Sequence, residues 1–290
     1  MCFIKVLSPA KVNLTLQILG KREDGLHLIK SIFQPIDLFD EVSIMVKEGE
    51  GVELSSLGIK VPTDEINLAV KAARAYLLQA ALKKKVIIEL NKRIPVGSGL
   101  GGGSGNAASV LVGLNKLFGR LHDKVLIELA GSIGTDVIFF VRSVTSLVEG
   151  IGEKITVLAD FPLFYYVILF PRINISTKTV YEKWDKDADA FSKETDNDLL
   201  IQKFKIDDDL PLENDLEKPA SKLYPEIQTF KEIFYSLGAK SVLMSGSGSS
   251  VFAAFRTERE ATEVYEYLKI SPTFDIFQAK GIKGWHYLMD

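Results

Sequence analysis

The sequence predicts an α+β protein of two domains, and three observations lead there. The chain has 290 residues, enough for two ordinary domains. β-prone and helix-patterned stretches are interspersed, with hairpin-like pairs rather than a regular strand–helix alternation. Apolar residues make up 47% of the chain against 25% charged, the composition of a protein with a sizeable core.

Residues 3–7 (FIKVL) and 14–18 (LTLQI) read as two strands separated by SPAKVN, and 42–46 (VSIMV) as a third. Residues 68–82 are Ala- and Leu-rich and read as a helix. KKKVIIEL then leads into a strand ending near Leu90. Beyond a glycine-rich segment, Ala107, Val110, Leu111, Leu114, Leu117 and Phe118 form one apolar stripe at helical spacing. Gly119 stands where a C-terminal cap belongs. A short helix is expected at 124–131, then strands at 137–141 (VIFFV) and 145–150 (TSLVEG). Asp160-Phe161-Pro162 precedes a new strand, FYYVILF, which places a domain boundary near 160 and gives domains of 1–160 and 161–290. The charge-dense stretch 182–218, with Asp-rich clusters at 185–189 and 207–209, reads as a solvated loop or exposed helical region. A helix over 220–237 stops at Gly238. SVLMSGSGSSVFAAF reads as strand, glycine turn, strand, and a helix (258–269) and a last strand, FDIFQAK, follow.

The net charge of −3 gives no general attraction to nucleic acid or to an anionic membrane. No apolar run approaches the ~18 residues of a spanning helix. Cys2 is the one cysteine, so no intrachain disulfide forms, and the start has no signal-peptide pattern. A cytoplasmic protein is expected.

From Gly97 to Gly105, six of nine residues are glycine. A linker would not sit between a strand and a strongly patterned helix. This segment delivers the chain into a helix N-terminus, where backbone N–H groups are unpaired and the dipole is positive. Glycines let an anion approach those groups, so the segment reads as a phosphate loop. It is not a P-loop, because no lysine lies between Arg93 and Lys116. The spacing GxGxxG is present at Gly97, Gly99 and Gly102, but Asp123 precedes an apolar run instead of ending a second strand. HRD and DFG tripeptides are absent.

The loop PVGSGLGGGSGNAA does resemble the Pro-x-Gly-x-Gly-Leu-Gly-Gly-Gly-Ser motif of the GHMP kinase superfamily. SPAKVNL (8–14) resembles that superfamily's N-terminal motif, and MSGSGSSVF (244–252) its third, in the same order. Within the superfamily the resemblance extends over essentially the whole chain to the branch acting on a cytidine-diphosphate-linked methylerythritol. LGKREDGLHLIKSIFQ, INLAVKAA, GTDVIFF and EGIGE all take part.

This resemblance implies an S5-like N-terminal domain, a ferredoxin-like C-terminal domain, and ATP with Mg²⁺. It implies phosphoryl transfer to a small-molecule alcohol by a monomer or homodimer. Asp136 would take the hydroxyl proton, with Lys11 holding Asp136 and stabilising charge on oxygen. From spacing alone, Lys11 reads first as a surface strand-end lysine and Asp136 as a turn cap. ATP would meet Pro95, Val96, Gly97, Ser98, Gly99, Leu100, Gly101, Gly102, Gly103, Ser104 and Gly105, with Asn67, Leu68 and Lys92 near the adenine. Ser104 is the candidate for a metal contact. The other substrate would meet Asn13, Leu26, His27, Thr177, Tyr181, Gly246, Ser247 and Gly248. Two positions depart from the pattern: Leu26 stands where a stacking tyrosine is usual, and Gly105 where a serine is common.

Overall fold

Two long strands dominate the N-terminal half. In the computed structural model, which describes residues 2–187, 190–270 and 273–288, β1 (Cys2–Lys21) and β2 (His27–Lys47) form one antiparallel hairpin. The strands expected at 3–7 and 14–18 are therefore a single strand. Its register shifts at Pro9/Ala10, Asn13/Thr15 and Ile18/Gly20. Proline cannot donate to a ladder, and such bulges bend a strand without ending it. The expected strand at 42–46 is the far end of β2.

There follow β3 (Gly51–Gly58), α1 (Leu68–Gln79), β4 (Lys85–Lys92), α2 (Gly102–Phe118), α3 (Asp123–Ile133), α4 (Thr135–Arg142), β5 (Ser146–Gly150) and β6 (Lys154–Val157). VIFFV is thus helix, not strand. Val137, Ile138, Phe139 and Phe140 are all buried, and a run that is apolar all round has no period by which to tell helix from strand. The second half supplies β7 (Tyr165–Phe170), α5 (Thr177–Asp187), α6 (Asn197–Ile206), β8 (Glu213–Asn214), α7 (Glu217–Leu223), α8 (Glu226–Ser236), β9 (Val242–Met244), β10 (Val251–Phe255), α9 (Glu258–Leu268), β11 (Asp275–Lys280) and β12 (His286–Leu288).

The helix expected over 220–237 is two helices, α7 and α8, broken at Tyr224-Pro225, since the residue before a proline is driven out of the helical region. The stretch 182–218 is not a plain solvated loop. Trp184, Leu200 and Phe204 on α5 and α6 are buried in apolar cores. Residues 188–189, the end of the first Asp-rich cluster, lie outside the described residues.

The first sheet runs β12-β1-β2-β4-β3, with β5 also on β2, β6 on β5 and β8 on β1. The second runs β11-β7-β10-β9. One core lies between the first sheet and α1, α2 and α4, and a second between the other sheet and α5, α8 and α9. A third joins the halves: Ala10, Val12, Leu14, Ile32 and Ile36 pack with Tyr166, Ile168, Leu243 and Phe252. β1 therefore buries its even residues from 10 to 14 between the sheets and turns Lys11 and Asn13 to the other face.

Candidate active site

Lys11, Asn13, Asp136, most of the glycine loop and the 246–248 turn line one cleft of about 470 Å³. The loop enters α2 through Gly97, Gly99 and Gly101, all at positive φ, and no side chain caps the helix N-terminus. Its first N–H groups thus remain available to an anion. Gly99 shows why glycine is needed: its φ is +77°, and a Cβ there would fall 2.1 Å from Ser245 O.

Lys11 is 3% exposed. Its ammonium donates to Asn13 Oδ1 and, at 2.9 Å, to Gly99 O. Burial lowers its pKa, and the charge of Asp136 opposes that fall. Asp136 sits in the first turn of α4, where a carboxylate suits the helix dipole. Among the described residues the two form no contact ion pair, so Lys11 does not hold Asp136 by a direct bond. The charge of Asp136 reaches Lys11 across space. Lys11 is instead fixed to the loop and to Asn13. Asn13 donates from Nδ2 to Ser31 Oγ at 3.1 Å, so its amide is engaged at both ends.

The third glycine turn closes on the loop. Ser245 Oγ donates to Gly99 O at 3.0 Å, and Ser250 N donates to Ser98 O at 3.0 Å. Asn214 Nδ2 holds the turn through Met244 O and Gly246 O at 2.8 and 2.7 Å. Thr177 Oγ1 and Ser247 Oγ, both lining the cleft, lie 2.8 Å apart.

Asn67 and Leu68 line the same cleft at the start of α1, where Asn67 accepts from Ala69 N as the helix cap. Pro95, Val96, Gly97, Ser98, Gly101, Gly102, Gly103 and Ser104 line it too, as do apolar Val61, Pro62, Ile66 and Leu90. Lys92 also lines it but is committed elsewhere. Its ammonium is 2.5 Å from Asp40 Oδ2 and donates to Ile94 O at 2.7 Å. Burial lowers its pKa, and Asp40 opposes that. Leu100 and Gly105 lie outside the lining. Leu100 is buried and its carbonyl accepts from Lys11 N, while Gly105 packs α2 on β1.

Leu26 and His27, at the β1–β2 turn, are also outside the lining, and Leu26 is 49% exposed. His27 nevertheless adjoins the cleft, because its ring stacks on cleft-lining Tyr181 with centroids 4.6 Å apart. That separation leaves no space for a base between these two rings.

Sequence reading missed Asp40. Fully buried, it accepts from Lys92 Nζ, Arg93 N (2.7 Å), Ile94 N (2.8 Å) and Asn106 Nδ2 (2.8 Å), clamping β4, the loop's entry and α2 together. No spacing pattern links 40 to 92–94 and 106. Asn106, which lines the cleft, was missed as well.

The profile of the GHMP kinases N terminal domain matches residues 67–143, and that of the GHMP kinases C terminal domain matches 193–271. The chain is 36% identical over 283 residues to a 4-diphosphocytidyl-2-C-methyl-D-erythritol kinase of Syntrophus aciditrophicus, covering 96% of this chain and 99% of that one. It is 40% identical over 257 residues to the protein of that name from Geobacter metallireducens, covering 88% and 90%. A crystal structure of 4-(cytidine 5'-diphospho)-2C-methyl-D-erythritol kinase superposes with a TM-score of 0.83 at 33% identity, covering 97% of this chain and all of that one. At 20% identity, homoserine kinase of Cytophaga hutchinsonii shares the fold, with a TM-score of 0.73 and coverage of 99% and 98%. With both domain profiles and whole-length relatives above 30% identity in agreement, the chain belongs to the GHMP kinase family.

Proposed function

We propose that this chain transfers the γ-phosphoryl group of ATP to the 2-hydroxyl of 4-diphosphocytidyl-2-C-methyl-D-erythritol, a step of the non-mevalonate route to isoprenoid precursors. The observation that carries the reading is the convergence of Lys11, Asp136, the glycine loop and the 246–248 turn on one cleft, in a chain whose whole-length relatives bear that name.

In this reading the open N–H groups at the start of α2 cradle the phosphates. Asp136 accepts the proton as the substrate O–H bond breaks and the new O–P bond forms. The bond from γ-phosphorus to the bridging oxygen breaks, and ADP leaves. Lys11 stabilises negative charge on the reacting oxygens, and its anchoring to Gly99 O and Asn13 means it needs no reorganisation to do so. Among the described residues no group of three His, Cys, Asp or Glu side chains forms a metal cage. A Mg²⁺ ion carried on the phosphates would find the cleft-lining Ser104 hydroxyl as a protein donor. Bound there, the ion would neutralise phosphate charge. Val61, Pro62, Ile66, Leu68, Leu90 and Val96 offer apolar surface for the adenine, near Asn67.

All these residues come from one chain, and no described helix is long and apolar enough to cross a membrane. With no disulfide framework and an exposed free Cys2, we place the activity in the cytoplasm. ADP release from Mg-ATP, followed over a panel of alcohols, tests the proposal. Turnover confined to the cytidylated substrate supports it. Turnover on homoserine or mevalonate instead would replace the substrate, and nucleotide binding without turnover would remove the activity.

A further inference from the structure

His27 is held on three sides. Tyr181 stacks on its ring at 4.6 Å, Trp184 meets it edge-on at 5.6 Å, and Asp185 Oδ1 lies 2.7 Å from its Nε2. These three partners all come from α5, with Tyr181 and Asp185 one turn apart. The other carboxylate oxygen of Asp185 accepts from Lys21 Nζ at 2.7 Å. Burial works against the charge on Asp185, yet the hydrogen bonds from Lys21 and His27 hold its pKa below the usual value. An ionised carboxylate only accepts hydrogen bonds, so Nε2 of His27 must carry a proton. In the neutral ring Nδ1 is then a lone-pair acceptor, and among the described residues no group bonds to it.

We propose that Asp185 is a positioning residue for base choice: it fixes the Nε2–H tautomer of His27, leaving Nδ1 to accept from the exocyclic amino group of a 4-aminopyrimidine. A 4-ketopyrimidine would set its oxygen against the same lone pair and be rejected. This rests on the cytidine-linked substrate proposed above, and on His27 meeting its base.

The experiment combines histidine ring ¹⁵N NMR of the whole chain, assigned with His27→Phe, with kinetics on the cytidine-linked substrate and its uridine analogue. Calorimetric binding of CMP and UMP accompanies them. Wild type is expected protonated at Nε2 and bare at Nδ1. Asp185→Asn, whose amide can accept or donate, is expected to give mixed tautomers. It should raise KM for the cytidine substrate roughly tenfold, keep kcat within about twofold, and shrink the preference over uridine by a similar factor. Asp185→Glu should restore most of the preference. Lys21→Ala, which cuts only the other half of the pairing, should leave tautomer and preference in place.

A wild-type ring protonated at Nδ1 overturns the proposal, as does an Asp185→Asn effect equal for both bases. If wild type fails to turn over the cytidine substrate, the proposed reaction falls, while the tautomer and the CMP/UMP preference still decide for or against Asp185.

Discussion

At the residue scale, chemistry at Asp136 and Lys11 can be separated. Asp136→Asn keeps the shape of the α4 first turn and removes the proposed base. Turnover should fall by about 10²–10⁴ while ATP binding, measured by calorimetry, is largely kept. Near-normal turnover would end the assigned role. In its proposed role Lys11 must be charged, and burial lowers its pKa from 10.5. Its charge is therefore lost at a lower pH than that of an ordinary lysine, so kcat/KM should decline along an alkaline limb lying below 10.5. Lys11→Arg, which does not deprotonate, should lose that limb even if slower. A wild-type limb at 10.5 or above would contradict this. Lys11 was legible in the sequence because it sits in a short contiguous motif. Asp40 was not, because a clamp made through folding leaves no local pattern. Its partner Lys92, read from the motif as an adenine neighbour, has its ammonium tied to that clamp.

At the scale of elements, the loop and α2 depend on close packing behind the cleft. Asp40→Ala would strand the buried Lys92 charge, with an expected loss of about 3–5 kcal/mol in denaturant unfolding and weaker ATP binding. Gly105 is a second such point. A Cβ there would meet Pro9 O at 2.8 Å and Ser8 Oγ at 3.0 Å. Gly105→Ser, which installs the residue that the motif resemblance leads one to expect, is thus expected to destabilise this chain by about 1–3 kcal/mol despite the better helix propensity of serine. Gly103→Ala, whose Cβ meets nothing nearer than 4.0 Å, is the control and should not destabilise the fold. Unchanged stability in Gly105→Ser would mean that β1 yields at Pro9. Elements with a clear period were legible: α2 carries its stripe and its Gly119 cap, and α9 matches its expected span within a residue. Elements without one were not. The all-apolar run of α4 read as a strand, β6, β8 and β12 are too short to show a period, and β3 alternates over Val52 and Leu54 but loses its apolar pattern at Ser55-Ser56.

At the scale of the whole molecule, the sheets do not divide the chain in two. β8 and β12, both beyond residue 160, pair with β1 in the first sheet. A fragment of residues 1–160 should therefore lack both neighbours of β1 outside the hairpin. It should also expose the apolar face that Ala10, Val12 and Leu14 turn to the second sheet. Such a fragment is expected to be unstable or aggregated by circular dichroism and sedimentation. A cooperative, monomeric fragment would show that the halves fold independently. The same pairing bears on when the enzyme becomes able to act during its synthesis. Lys5 is made among the first residues, but its partner in the sheet is Leu288. Translation must reach Leu288 before the strand bearing Lys11 gains its last neighbour. Contacts so distant along the chain form slowly. Nascent chains that end short of Leu288 should thus leave ATP untouched.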